Sequence, residues 1–192
     1  LGQVMLTTNL SGRLGSALVE YLPDTQLILL LGAMIVSLVL GMGLPTPVAY
    51  IIVALALVPF MQQIGIPPLQ AHFFVFYFAV FSTLTPPVAV SVLAAAKLGE
   101  ATFLSTAKDA MKIALTTFII PFAFVFSPEL MLFPNVTWGT MLAVFEVVFV
   151  QLAVSVASYG FLIRSLNGFE RGVYSFVALS GFLGFTYDSN FW

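Results

Sequence analysis

Between Thr25 and Ala96 the chain carries no Lys, Arg, Asp or Glu. A single helix crossing a bilayer needs about 20 apolar residues, so this stretch must cross or re-enter a membrane more than once. Only 7% of the 192 residues are charged and 60% are hydrophobic, against about 25% charged in a soluble domain. Long unbroken runs such as "LILLLGAMIVSLVL" point to helices. A membrane β-barrel would instead show short segments alternating polar and apolar residues. The expected fold class is an all-α polytopic membrane protein. A net charge of −2 with six basic residues leaves no footprint for nucleic acid. The absence of cysteine excludes disulfides, thiolate metal sites and cysteine nucleophiles.

Composition divides the chain into a lead-in helix (1–25), two apolar arms separated by a break (26–61) and a second interrupted apolar stretch (62–98). A charged amphipathic segment (99–112) and further membrane helices (113–192) follow. Spans are expected over Ile113–Phe126, with a kink at Pro121, and over Trp138–Ile163 and Gly172–Tyr187. The chain starts at Leu1 and stops at Trp192 beside an apolar segment, which reads as the C-terminal part of a longer protein.

Two motifs interrupt the charge-free stretch. "LPTPVA" (44–49) and "LTPPVA" (84–89) agree at four of six positions, and each places Thr-Pro between apolar runs. Thr is a fair helix N-cap and Pro suits the first helical turn. Thr46-Pro47 and Thr85-Pro86 are therefore expected to start new helices, after helices ending near Gly41–Gly43 and Ser82–Thr83. A helix end leaves about four carbonyls, and a helix start about four N–H groups, without intrahelical partners. In hydrocarbon each unsatisfied group costs several kcal/mol. Such a break is either a kink relieved by neighbouring helices or a ligand site, where carbonyls hold a cation and N–H groups an anion. Two matching breaks in one charge-free stretch favour the site.

A continuous helix over 26–61 would run about 54 Å, far beyond the roughly 30 Å hydrocarbon core. A re-entrant hairpin with its tip at 41–47 fits, and 69–96 can form one broken, tilted span. Lys97, Lys108 and Lys112 precede a loop without Lys or Arg, and Arg164 and Arg171 follow. The positive-inside rule then places 97–112 and 164–171 in the cytoplasm.

"LGMGLPT", "AYIIVALALVP" and "GIPPLQAHFFVFYFAVFSTLTPPVA" together resemble the large membrane subunit of TRAP (tripartite ATP-independent periplasmic) transporters. The form it looks closest to is the fused one that works with TAXI-type substrate-binding proteins. The resemblance implies the second repeat of an elevator-type transporter, with a re-entrant helical hairpin and a broken transmembrane helix. It implies sodium-coupled uptake of small organic acids across a prokaryotic inner membrane, no cofactor beyond the coupling sodium, and a periplasmic binding protein as partner. A first repeat, absent from this chain, would supply the remaining contacts. Carried over, the family's sodium site implicates Gly41, Gly43, Ser82 and Val88, with Thr85 through its carbonyl or hydroxyl. Thr46, Pro47, Pro86 and Pro87, with the N–H groups behind them, would face the substrate carboxylate. The chain departs from many separate large subunits at Leu44, where those have Asp, and at Ser82, where they often have Gly.

Other polar residues have plainer readings. His72, the only histidine, is expected to be a hydrogen-bonded residue near an interface rather than a proton relay. Glu146, inside an apolar run, is either structural or functional. An intramembrane enzyme is disfavoured: Asp24, Asp109 and Asp188 lie at span ends, and Ser82 is about 15 Å along a helix from His72, too far for direct proton transfer. A sodium-coupled carboxylate carrier of another family is a remaining alternative, and a passive scaffold would need no carbonyl-exposing breaks.

Overall fold

The computed structural model describes residues 7–22, 25–131 and 136–188, without the side chains of 11 and 185–188. Asp24 and the Asp188 side chain, two of the carboxylates weighed for an enzyme, lie outside the described residues. Contacts divide the chain into two compact units, Leu1–Met111 and Lys112–Trp192.

In the first unit, α1 (Leu10–Tyr21) leads into α2 (Gln26–Gly41) and α3 (Thr46–Gln63), joined by a four-residue turn into a helical hairpin. The punctuation is local. Gly43 adopts φ 74°, a left-handed conformation that glycine enters without a Cβ penalty. Pro45 caps α3 and Pro47 sits in its first turn, where a missing N–H costs nothing. Gly65, at φ 87°, turns the chain into α4 (Pro68–Phe81). An eight-residue interruption separates α4 from α5 (Val90–Leu98). α3 and α4 are apolar around their circumference, and α4 packs against both arms of the hairpin. The core of this unit is aromatic and aliphatic: Phe60, Phe74, Phe78, Leu30 and Leu57 are fully buried. α1 adds close contacts through glycines, with Gly15 against Phe60 and Gly32 against Leu18 and Leu22.

Helix α6 (Phe103–Thr117) covers the later part of the segment expected to be a surface helix (99–112) and continues past its expected end without a break. Its first half buries Ala107 with Ala89 and Val92. Phe103–Phe126 is long and apolar enough to cross a membrane, as are α3 and the helix Trp138–Tyr159. No Gly or Pro lies between 99 and 121, so nothing local separates a charged segment from the span that follows. The interruption falls instead at Phe118, before α7 (Ile119–Phe126). Pro121 explains it: its ring clashes with the carbonyl four residues back, that of Thr117.

The second unit continues through a 3₁₀ turn (Pro128–Met131) to α8 (Trp138–Tyr159) and α9 (Gly168–Asp188). α8 begins at a reciprocal Thr137–Thr140 capping box. It stops at Tyr159, four residues short of the expected Ile163, because Gly160 enters the left-handed region (φ 67°) and its N–H closes on the Val156 carbonyl. α9 starts four residues earlier than Gly172, since Asn167 and Glu170 exchange side-chain and backbone hydrogen bonds across its first turn. Close packing of α8 on α9 passes through Gly181, beside Val150. The outer face of α8 is apolar and exposed at Met141, Phe145, Val148 and Leu152, a surface suited to hydrocarbon rather than water.

Candidate functional site

The two breaks meet. Gly41, the last residue of α2, lies so close to Ser82, the first residue after α4, that a Cβ on Gly41 would stand 2.5 Å from Ser82 Oγ. Gly43, in the hairpin turn, lies against Val88, with its equivalent position 3.4 Å from Val88 Cγ1. Both Gly41 and Ser82 are buried. The glycine at 41 is thus required by the neighbour rather than by its own backbone.

Hydrogen bonding around the second break differs from the expectation of a row of bare carbonyls at the end of α4. Ser82 Oγ donates to Ala79 O at 2.6 Å, Thr83 Oγ1 to Val80 O at 2.9 Å and Thr85 Oγ1 to Phe81 O at 2.8 Å. The Ser82 N–H reaches Phe78 O. The last turn of α4 is therefore satisfied by its own "STLT" sequence. Among the described residues, the carbonyls that meet no donor include those of Ser82, Thr85 and Val88 in the connecting segment, and those of Leu40 and Gly43 at the hairpin tip. The Gly41 carbonyl accepts the Leu44 N–H at 3.3 Å, leaving one lone pair.

Two helix starts also differ from expectation. Pro45, not Thr46, occupies the cap of α3, and no side chain bonds to that helix start. Thr85-Pro86 starts no helix; α5 begins at Val90, capped by Ala89. Two consecutive prolines explain the delay, because the residue before each is pushed out of the helical region, and the Thr85 hydroxyl is already committed to Phe81. The Pro86–Pro87 peptide bond is cis. Ala89 holds φ 39°, a left-handed conformation costing a non-glycine residue about 1–2 kcal/mol, and it is fully buried against Val92 and Ala107. The Ser91 N–H closes the break by donating to Thr83 O at 3.1 Å. The N–H groups of Thr46, Val90 and Val92 meet no acceptor among the described residues.

Of the expected site residues, the structure brings Gly41 to Ser82 and Gly43 to Val88. Thr85 lies half-buried in the same break, but its hydroxyl proton is directed to the helix end. Pro47, Pro86 and Pro87 are exposed and Thr46 is half-buried. Thr83, not singled out by sequence, ties both sides of its break through hydroxyl and carbonyl; its position inside "STLT" was the available signal. Among the described residues no three His, Asp or Glu side chains converge as a metal site would require. A cation at the breaks would be held by backbone and hydroxyl oxygens, the ligands of hard cations.

The other polar candidates resolve locally. His72 Nδ1 lies 2.9 Å from the Tyr50 hydroxyl, a hydrogen bond between α3 and α4. The Glu146 carboxylate on α8 lies beside Gly184 of α9.

A family described as "Tripartite ATP-independent periplasmic transporter, DctM component" matches residues 1–138, a stretch containing both breaks. No curated protein and no solved structure matches the chain.

Proposed function

The chain belongs to the DctM-component family of tripartite ATP-independent periplasmic transporters, and on that premise we propose that its two apposed helix breaks bind sodium and the carboxylate of a small organic acid during uptake. A component of such a transporter is not an enzyme. The observation that carries the reading is the meeting of Gly41 with Ser82 and of Gly43 with Val88, with unmet carbonyls on both sides of the contact. Unwound carbonyls suit a sodium ion, and helix starts suit an anion. Gly43, Ser82, Thr85 and Val88 offer carbonyl oxygens, and Gly41 a remaining lone pair. With no carboxylate in either break, the site carries little charge of its own, which suits weak, reversible binding.

The free N–H groups of Thr46, Val90 and Val92 supply positive partial charge for the substrate, with the Thr46 hydroxyl beside them and Pro47, Pro86 and Pro87 shaping the entrance. The same reading includes an elevator-type movement of the repeat, a prokaryotic inner membrane, and delivery of the acid by a periplasmic binding protein of the TAXI type.

The test is uptake of a radiolabelled organic acid by the full transporter in proteoliposomes, with its binding protein supplied outside. An inward sodium gradient should drive accumulation. Uptake that follows a proton gradient and ignores sodium would overturn the sodium assignment.

A further inference from the structure

Backbone bonds from the Val48 and Ala49 N–H groups to the Pro45 carbonyl close the start of α3, and no side-chain cap adds to them. The α2 side of the turn is the side held by the Gly41–Ser82 contact. One turn into α3, however, Tyr50 reaches across to α4. Its hydroxyl lies 2.9 Å from His72 Nδ1, its ring meets Phe76 edge-on with centroids 5.5 Å apart, and it tilts over the His72 ring at 6.2 Å. α4 thus touches both arms of the hairpin: α2 at Ser82, beyond its end, and α3 through His72 and Phe76.

We infer that Tyr50 and His72 are positioning residues that hold the start of α3 on α4 and so set the spacing between the hairpin tip and the second break. The inference rests on the proposed sodium site and adds how its two halves are kept in register. The chemistry suits the place. A tyrosine hydroxyl can donate to or accept from an imidazole nitrogen, so the two side chains satisfy each other, which keeps the cost of a polar contact between membrane helices low. The Phe76 contact keeps the tyrosine ring in place when the hydroxyl is removed, so Tyr50→Phe deletes the hydrogen bond and little else. Thr46 lies four residues before Tyr50, about 6 Å along the helix, so a pivot of α3 about Tyr50 moves the tip directly.

The experiment uses the full transporter carrying Tyr50→Phe, His72→Leu, both together, or His72→Gln, which restores a hydrogen-bonding side chain. Interhelical hydrogen bonds in membranes set the scale: the sodium concentration for half-maximal uptake should rise about three- to twentyfold in either single variant. The double variant should rise no further, and His72→Gln should recover toward wild type. Membrane abundance should stay unchanged, whereas a merely structural role would lower abundance and leave the sodium response in place.

A second readout does not depend on sodium. Spin labels placed at Val48→Cys and Val90→Cys, both exposed, report the tip-to-break distance in a transporter whose cysteines outside this cysteine-free chain have been replaced. The distribution should broaden in Tyr50→Phe. An unchanged distribution overturns the positioning role even if uptake depends on sodium. A wild-type protein without sodium dependence overturns the site reading itself, and with it the role of the tyrosine in that site.

Discussion

Gly41→Ala tests whether the meeting of the two breaks is what function requires. An added Cβ would stand 2.5 Å from Ser82 Oγ and 2.9 Å from Ser82 Cβ, both inside the closest approach that real side chains make. Ser82 cannot swing aside cheaply: it is fully buried and its hydroxyl is bonded to Ala79 O at 2.6 Å. The clash must be relieved by separating the hairpin tip from α4. Overpacking of this kind costs about 1–3 kcal/mol, which is a factor of about five to 140 in the population of the paired arrangement. The carbonyl at 41 remains, so any effect is geometric. In sodium-driven uptake, the half-maximal sodium concentration should rise by up to that factor, with the protein still inserted in the membrane. Ser82→Ala in the same background removes the 2.5 Å contact but keeps the 2.9 Å one, and should recover part of the loss. Ser82→Gly removes both, leaving Ala79 O at 3.4 Å, and should recover most of it. A Gly41→Ala protein with wild-type sodium response, or one that Ser82→Gly fails to improve, would refute the reasoning.

Thr85→Val deletes the hydroxyl bonded to Phe81 O, whose carbonyl keeps the Leu84 N–H; it should destabilise by about 1 kcal/mol and raise the half-maximal sodium concentration, while Thr85→Ser should do neither. Ala89→Gly relieves a left-handed alanine (φ 39°) and should raise the melting temperature in detergent, by the equivalent of up to about 1 kcal/mol, whereas Ala89→Val should lower it. Gly181→Ala would place a Cβ 2.5 Å from Val150 Cγ2 and should destabilise the α8–α9 pair by about 1–3 kcal/mol, with Val150→Ala restoring it. The Asn167 backbone N–H, and then the Arg164 guanidinium, hold the Glu170 carboxyl below the usual carboxylate range. Its contribution to the start of α9 is therefore present above the ordinary value of about 4.3 and lost as pH falls through the lowered one. Protection of the Asn167 amide against hydrogen exchange, taken relative to its intrinsic rate at each pH, should fall on that acidification, and Glu170→Gln should remove that loss of protection.

The positions of the breaks were legible because backbone constraints are local. Gly41–Gly43 and Pro45–Pro47 dictate a turn whatever surrounds them, and Ser82–Pro87 does the same. The capping detail was less legible. "STLT" could have left the carbonyls of α4 open or closed them with its hydroxyls; in the structure it closes them. Likewise the single Thr-Pro of the first break starts a helix, while the Thr-Pro-Pro of the second postpones one to Val90, a consequence of the second proline that a motif match passes over.

By itself the sequence determined the solvent and the punctuation: 72 consecutive positions without a formal charge (25–96) require lipid, and glycine and proline mark where helices stop. Only the tertiary structure decided that position 41 faces 82, that 43 faces 88, and that Tyr50 finds His72. The reason is physical. α3 and α4 are apolar around nearly their whole surface, so periodicity names no inner face and gives no angle of packing. Which residues meet across stretches of 22 to 45 positions is settled by how side chains of different size interlock, with a glycine admitting a serine and a tyrosine reaching past a phenylalanine.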